Sequence, residues 1–161
     1  MRRSKPAPWK GVGLVILVVA LAALILWWRT APGSDDIWSS SSYETQQLRI
    51  GDQTISLQVA DTGPKQQLGL GNRTDIPPDR GMLFPYVSAS EDRCFWMQDM
   101  NFPIDMIWLD SDRKVVHIEA EVSPDTYPKL FCPDAPAQYV VELHPGSTKR
   151  LGLREGSQLD F

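Results

Sequence analysis

The sequence predicts a mainly β protein: a compact antiparallel β-sandwich or barrel-like domain with one or two short helices, preceded by a single transmembrane helix. Three observations carry this reading. Eighteen consecutive residues, Gly11 to Trp28, contain neither a charge nor a proline. Beyond them, about seven short runs of β-prone residues recur at intervals of roughly ten residues, with little helical periodicity between them. The chain has 161 residues, enough for one ordinary domain with appendages but not for two cores.

The first element is a basic N-terminus, residues 1–10, with Arg2, Arg3, Lys5 and Lys10. The apolar run 11–28 follows, and at about 1.5 Å per residue it reaches about 27 Å, close to the hydrocarbon thickness of a bilayer. Trp9 at one end and Trp27 with Trp28 at the other suit the two headgroup levels. Four basic residues precede the run, whereas only Arg29 follows it before Asp35 and Asp36, so the N-terminus is expected in the cytoplasm and the rest outside it, at the cell surface or in the periplasm. A cleaved signal peptide is the competing expectation, but its apolar core is shorter and ends in small residues, not in two tryptophans. The lipid bilayer, met through residues 11–28, is thus the first expected partner.

Residues 29–43 are rich in Ser, Gly, Pro and Asp and read as a flexible linker. From there to the end, 44–161, lies the folded domain. All 20 acidic residues but only 11 of the 16 basic ones follow Arg29, a formal −9. No Lys or Arg cluster is present there, which excludes nucleic acid as an expected partner, because phosphate binding rests on such clusters.

Within the domain, ETQQLRI and QTISLQVA flank Gly51-Asp52 and read as a hairpin. Thr62-Gly63-Pro64 opens a helix of about two turns that Gly71-Asn72 ends. Further strands are expected at Met82 to Tyr86, Cys94 to Gln98, Ile104 to Leu109, Val115 to Glu121 and Gln138 to Leu143, and a helical turn at Ser147 to Leu151. Short strands with so little helix favour antiparallel pairing over a parallel βαβ sheet.

Chemistry is sparse. Cys94 and Cys132 are the only cysteines, and in an oxidising compartment a structural disulfide is their expected use; a redox-active pair lacks the CxxC spacing, and two free thiols are the remaining alternative. His117, Glu119 and Glu121 alternate along one strand, but Val116, Ile118 and Ala120 form the complementary apolar face, so the polar set reads as a solvated face and no metal site is expected. The stretch from Phe95, Trp96 and Met97 to Trp108 is the most apolar of the domain, and Asp105 is the acid inside it. It must be hydrogen-bonded or paired. Either it accepts backbone or Arg hydrogen bonds and fixes a turn, with Arg73 and Arg80 as conceivable partners, or it is a functional carboxylate with a raised pKa. No nucleophile elbow, phosphate loop, H-E-x-x-H or kinase signature occurs, and no cofactor is expected.

Gly69-Leu70-x-x-Arg73, Gly81-Met82-Leu83-Phe84, Phe95-Trp96-Met97, Pro103-Ile104-Asp105-Met106-Ile107 with Asp110, and Tyr139-Val140-Val141-Glu142-Leu143 follow one another in order. Together they resemble the family called domain of unknown function 192 over about residues 45–161. The resemblance implies a compact, mainly β domain, often carried behind a signal peptide or membrane anchor, with no established activity. Gly71-Asn72 and Gln98-Asp99 depart from the family's usual Met-aromatic and Lys-Asn pairs. A Cys beside the Phe-Trp-Met element and another before the Tyr-Val-Val-Glu-Leu strand resemble a pairing in some exported members, which adds to the case for a disulfide.

The functional expectation is a non-catalytic, extracytoplasmic module that binds a small ligand or an envelope protein, with Arg73, Trp96, Asp105, Asp110 and Glu142 as candidate site residues. The rival is an envelope hydrolase using Asp105 with Asp110, Glu142 or Arg73; two of these groups in one concave pocket would favour it.

Overall fold

The computed structural model describes residues 42–161. The basic N-terminus, the transmembrane helix expected at 11–28 and nearly all of the linker lie outside the described residues. The described residues fall within one compact unit.

Six strands form one mixed sheet in the order β1-β2-β3-β6-β4-β5. The expected hairpin is β1 (Glu44–Ile50) and β2 (Gln53–Val59), paired antiparallel around Gly51-Asp52. β1 lies at the edge of the sheet, with Leu48 its buried residue and its first four residues exposed. The chain then crosses over through helix α1 (Gly63–Leu68) to β3 (Arg80–Ser90), which runs parallel to β2. This corrects the all-antiparallel expectation. A parallel partner requires a crossover of a dozen or more residues, and the segment from Ala60 to Asp79 supplies one although only six of its residues are helical.

The remaining pairs are antiparallel: β6 (Ala137–Leu143) lies between β3 and β4 (Ile104–Leu109), and β5 (Val115–Val122) closes the far edge. A short helix, α2 (Ser147–Arg150), follows β6. All six residues of β4 are buried, as expected for a strand covered on both faces. One face carries Leu57, Val59, Leu83, Val141, Leu143, Ile107 and Leu109, closed by Leu159 near the C-terminus. The register puts Met82, Phe84, Val140, Glu142, Met106 and Trp108 on the other. Gly81 is confined where β3 meets β6: a Cβ there would come within 2.7 Å of the Glu142 carbonyl oxygen and of the Leu57 and Leu143 side chains.

The strand expected at Cys94 to Gln98 is absent. That segment is tied by the Cys94–Cys132 disulfide and by one isolated bridge, Phe95 to Phe131, with both N–H···O bonds at 2.8 Å. Phe95 stands edge-on between Phe84 and Trp108, so its apolar character serves to cover the second face and not to extend the sheet. The Trp108 indole N–H donates to the Arg93 carbonyl at 2.6 Å, which fixes the start of the cover.

Candidate functional site

A cleft of about 460 Å³ opens on the second face of the sheet. One wall is α1 and the turn after it; the other is the loop 95–100; Phe84 and Tyr86 of β3 and Glu142 of β6 form the floor. Pro64 sits in the first turn of α1, where its missing N–H costs no hydrogen bond, and the helix stops at Gly69, whose φ of 51 is left-handed. A Cβ on Gly69 would meet the Phe84 ring at 3.5 Å and Glu142 Oε2 at 4.0 Å, ordinary contact distances, so it is the positive φ and not lack of room that calls for glycine there. The Asn72 N–H donates to the Asp99 carbonyl at 2.8 Å and ties the two walls together.

Glu142 is the chemical centre of the cleft. The row Gln58, Met82, Glu142, Met106 runs across four neighbouring strands on one face, so the carboxyl rises from the middle of the sheet. It is 5% exposed, and burial pushes its pKa up to about 8, against the opposing charge of Arg73. Its Oε2 atom is buried and has no hydrogen-bond partner among the described residues. Arg73, itself buried, donates to Gln58 Oε1 at 2.7 Å, while its carbonyl accepts from Asn101 Nδ2 at 2.8 Å. Burial lowers the Arg73 pKa, and Tyr43 and Glu142 counteract that.

Above the floor the walls are polar amides and apolar surface. Gln67, Asn72, Gln98 and Asp99 line the cleft and are exposed, and so are Leu68 at 52% and Trp96 at 48%. The Trp96 ring leans on Tyr127 at 5.7 Å between centroids, which restrains it at the mouth.

Of the five residues expected from the sequence, Trp96 and Glu142 line this cleft, and Arg73 acts on Glu142 electrostatically without lining it. Asp105 is fully buried and does not line it. Its Oδ1 accepts from the N–H groups of Glu121 at 2.8 Å and Gly146 at 3.0 Å; its Oδ2 accepts from the Thr148 N–H and hydroxyl, both at 2.7 Å. It thereby pins the start of α2 to the β4–β5 edge. Asp110 is also outside the cleft: its Oδ1 accepts from Asp112 N–H and Lys114 N–H at 2.9 Å and shapes the β4–β5 turn. Gln58 and Asp99 were not singled out from the sequence. Asp99 was signalled only by the departure at Gln98-Asp99, and Gln58 by nothing in its polar-apolar alternation.

The profile of the DUF192 family, described as "Uncharacterized ACR", matches residues 46–161. No curated protein matches the chain. Two crystal structures are similar. A protein named as a proposed transcription regulator from Sinorhizobium meliloti 1021 has 28% identity and a TM-score of 0.69, over 75% of this chain and 96% of that one. A protein of unknown function from Novosphingobium aromaticivorans DSM 12444 has 25% identity and a TM-score of 0.68, over 76% and 89% respectively. With its family motifs matched over more than half of its length, the chain belongs to the DUF192 family.

Proposed function

We propose that this chain is a membrane-anchored module whose extracytoplasmic domain binds a small uncharged ligand in the cleft over Glu142 and does not transform it. The observation that carries the reading is the Glu142 carboxyl, buried at the floor of a cleft with one oxygen unpartnered. An unsatisfied buried polar atom costs about 1–3 kcal/mol, a cost that a ligand donating to it would offset. The cleft volume lies within the range of small-molecule sites. A carboxyl whose pKa burial raises to about 8 can both donate and accept a hydrogen bond, so the floor suits an uncharged group with hydroxyl or amide donors and acceptors. The Trp96 ring supplies a flat apolar surface, and the amides of Gln67, Asn72 and Gln98 supply matching polar contacts. The apolar run 11–28 and the charge asymmetry around it support the anchor and the outward orientation.

One observation favours a second reading. A carboxyl with a raised pKa in a cleft is suited to donate a proton, and Asp99 lines the same cleft, so an envelope hydrolase would use Glu142 as acid with Asp99 rather than Asp105. Calorimetric titration of the full-length chain with a panel of neutral saccharides and amides, followed by chromatography of the recovered ligand, separates the two. Saturable binding that is lost in Glu142→Ala, with the ligand recovered intact, supports the binder. Products that form with wild type but not with Glu142→Gln would replace it by the hydrolase, and absence of any saturable binding would overturn both.

A further inference from the structure

A second constellation lies at the far edge of the sheet, away from the cleft lining. His117 of β5 packs its ring against Trp108 at 5.3 Å between centroids. Both of its ring nitrogens are buried and neither makes a hydrogen bond of acceptable geometry among the described residues. Nonetheless Asp134 Oδ2 stands 3.1 Å from Nδ1 and Glu119 Oε1 stands 3.5 Å from Nε2. Glu155 completes the group: one donor atom each of His117, Asp134 and Glu155 lie within 4.8 Å of one another.

We propose that His117, Asp134 and Glu155 form a site for one divalent cation of the zinc type. Two ligand atoms at about 2.0–2.1 Å from a tetrahedral ion are themselves about 3.3 Å apart. The 3.1 Å approach of Asp134 to His117, too poorly directed to be a hydrogen bond, is close to that separation. An imidazole with two carboxylates is a donor set that suits zinc and neutralises its charge, and a water would fill the fourth position. Glu119 faces the other ring nitrogen, where metal-binding histidines are commonly backed by a carboxylate that fixes tautomer and orientation.

The scaffold brings three separate segments to this point. Asp134 lies two residues beyond Cys132, whose disulfide tethers that loop to Cys94. Glu155 precedes Gly156, whose N–H donates to the Val115 carbonyl at 2.8 Å, and Val115 N–H donates in turn to Ser157 at 2.9 Å. The disulfide and the pairing of Gly156 and Ser157 with Val115 hold these two segments near β5, while Asp134 and Glu155 are themselves exposed. The sequence pattern pointed elsewhere, to Glu119 and Glu121 as companions of His117. Glu121, at a φ of 52 near the irregular end of the β4–β5 pairing, breaks the alternation, and the third ligand, Glu155, comes instead from the turn before Gly156.

The competing arrangement is a purely structural cluster of His117 with the same carboxylates, which would take up no zinc. Full-length protein treated with chelator and then titrated with zinc chloride in a calorimeter distinguishes them, with cobalt(II) absorption as a second reading of an N/O donor set. The expected result is one zinc per chain, with affinity reduced at least tenfold in His117→Gln and in Asp134→Asn and unchanged in His144→Gln, the chain's other histidine. Asp134 is exposed, so its substitution tests the site even where His117→Gln disturbs folding. No zinc uptake, uptake unaffected by Asp134→Asn, or equal loss in His144→Gln would overturn the proposal.

Discussion

Asp105 and Glu142 stand on adjacent central strands, yet point to opposite faces of the sheet. The β4–β6 register pairs Asp105 with Leu143 and Glu142 with Met106, and directly paired residues share a face while consecutive ones alternate. The consequence is a division of roles. Asp105 meets four donors on its side, whereas Glu142 keeps one oxygen without a partner on the cleft side.

Asp105→Asn keeps the shape of the side chain but replaces one acceptor oxygen by an amide nitrogen, so three backbone N–H donors and a hydroxyl are no longer all satisfied. A loss of roughly 1.5–3 kcal/mol is expected, seen as a melting temperature lower by several degrees. A melt equal to wild type would show that these four bonds add nothing to stability.

Glu142 makes stability depend on pH. Its folded pKa of about 8 lies above the ordinary 4.5, so the folded state holds this proton while the unfolded chain releases it. The stabilising contribution is complete below about pH 4.5 and is lost as pH rises toward 8, by up to about 1.4 kcal/mol per unit. Urea unfolding at several pH values should show Glu142→Gln gaining stability relative to wild type as pH rises through this window. Parallel profiles for the two proteins would contradict the shift.

The Cys94–Cys132 disulfide closes a loop with a sequence separation of 38. By the chain-entropy argument, replacing both cysteines with Ala should cost about 4 kcal/mol, a large part of a small domain's stability. Denaturant midpoints of the oxidised protein and the double variant measure this directly, and equal midpoints would sink the argument.

The anchoring reading predicts that protease added to intact cells or spheroplasts digests the domain 44–161 from outside. Protection of that domain until the membrane is lysed would reverse the orientation and remove the compartment argument for the cysteines.

Local structure was legible where chemistry is local. Gly51-Asp52 marked the first hairpin, Thr62-Gly63-Pro64 the start of α1, and the run from Ile104 to Leu109 matched β4. The parallel β2–β3 pairing was not legible, because alternation along a strand carries no information on the direction of its neighbour and the crossover contains little helix to reveal it. Phe95-Trp96-Met97 reads as a strand by composition, but its residues cover the sheet instead of joining it. The site was partly legible: Trp96 and Glu142 stand in recognisable motifs. Which of the acids faces a cleft depends on register, and a shift of one residue exchanges the faces, so Asp105 drew attention that the pairing assigns to Glu142. Arg73 and Arg80 were conceivable partners of Asp105 by sequence, but the hydrogen bonds of Asp105 go instead to Glu121, Gly146 and Thr148, and the bond of Arg73 to Gln58 depends on tertiary contact alone.

The binding claim is tested most directly by following the Trp96 indole N–H resonance of the full-length chain, labelled with 15N in its tryptophans and assigned with Trp96→Phe, during titration with neutral saccharides and amides. Binding in the cleft predicts a saturable shift of the Trp96 signal with at least one uncharged ligand, abolished in Glu142→Ala while the other tryptophan signals stay in place. A Trp96 signal that no ligand moves, or one that moves equally in Glu142→Ala, would contradict it.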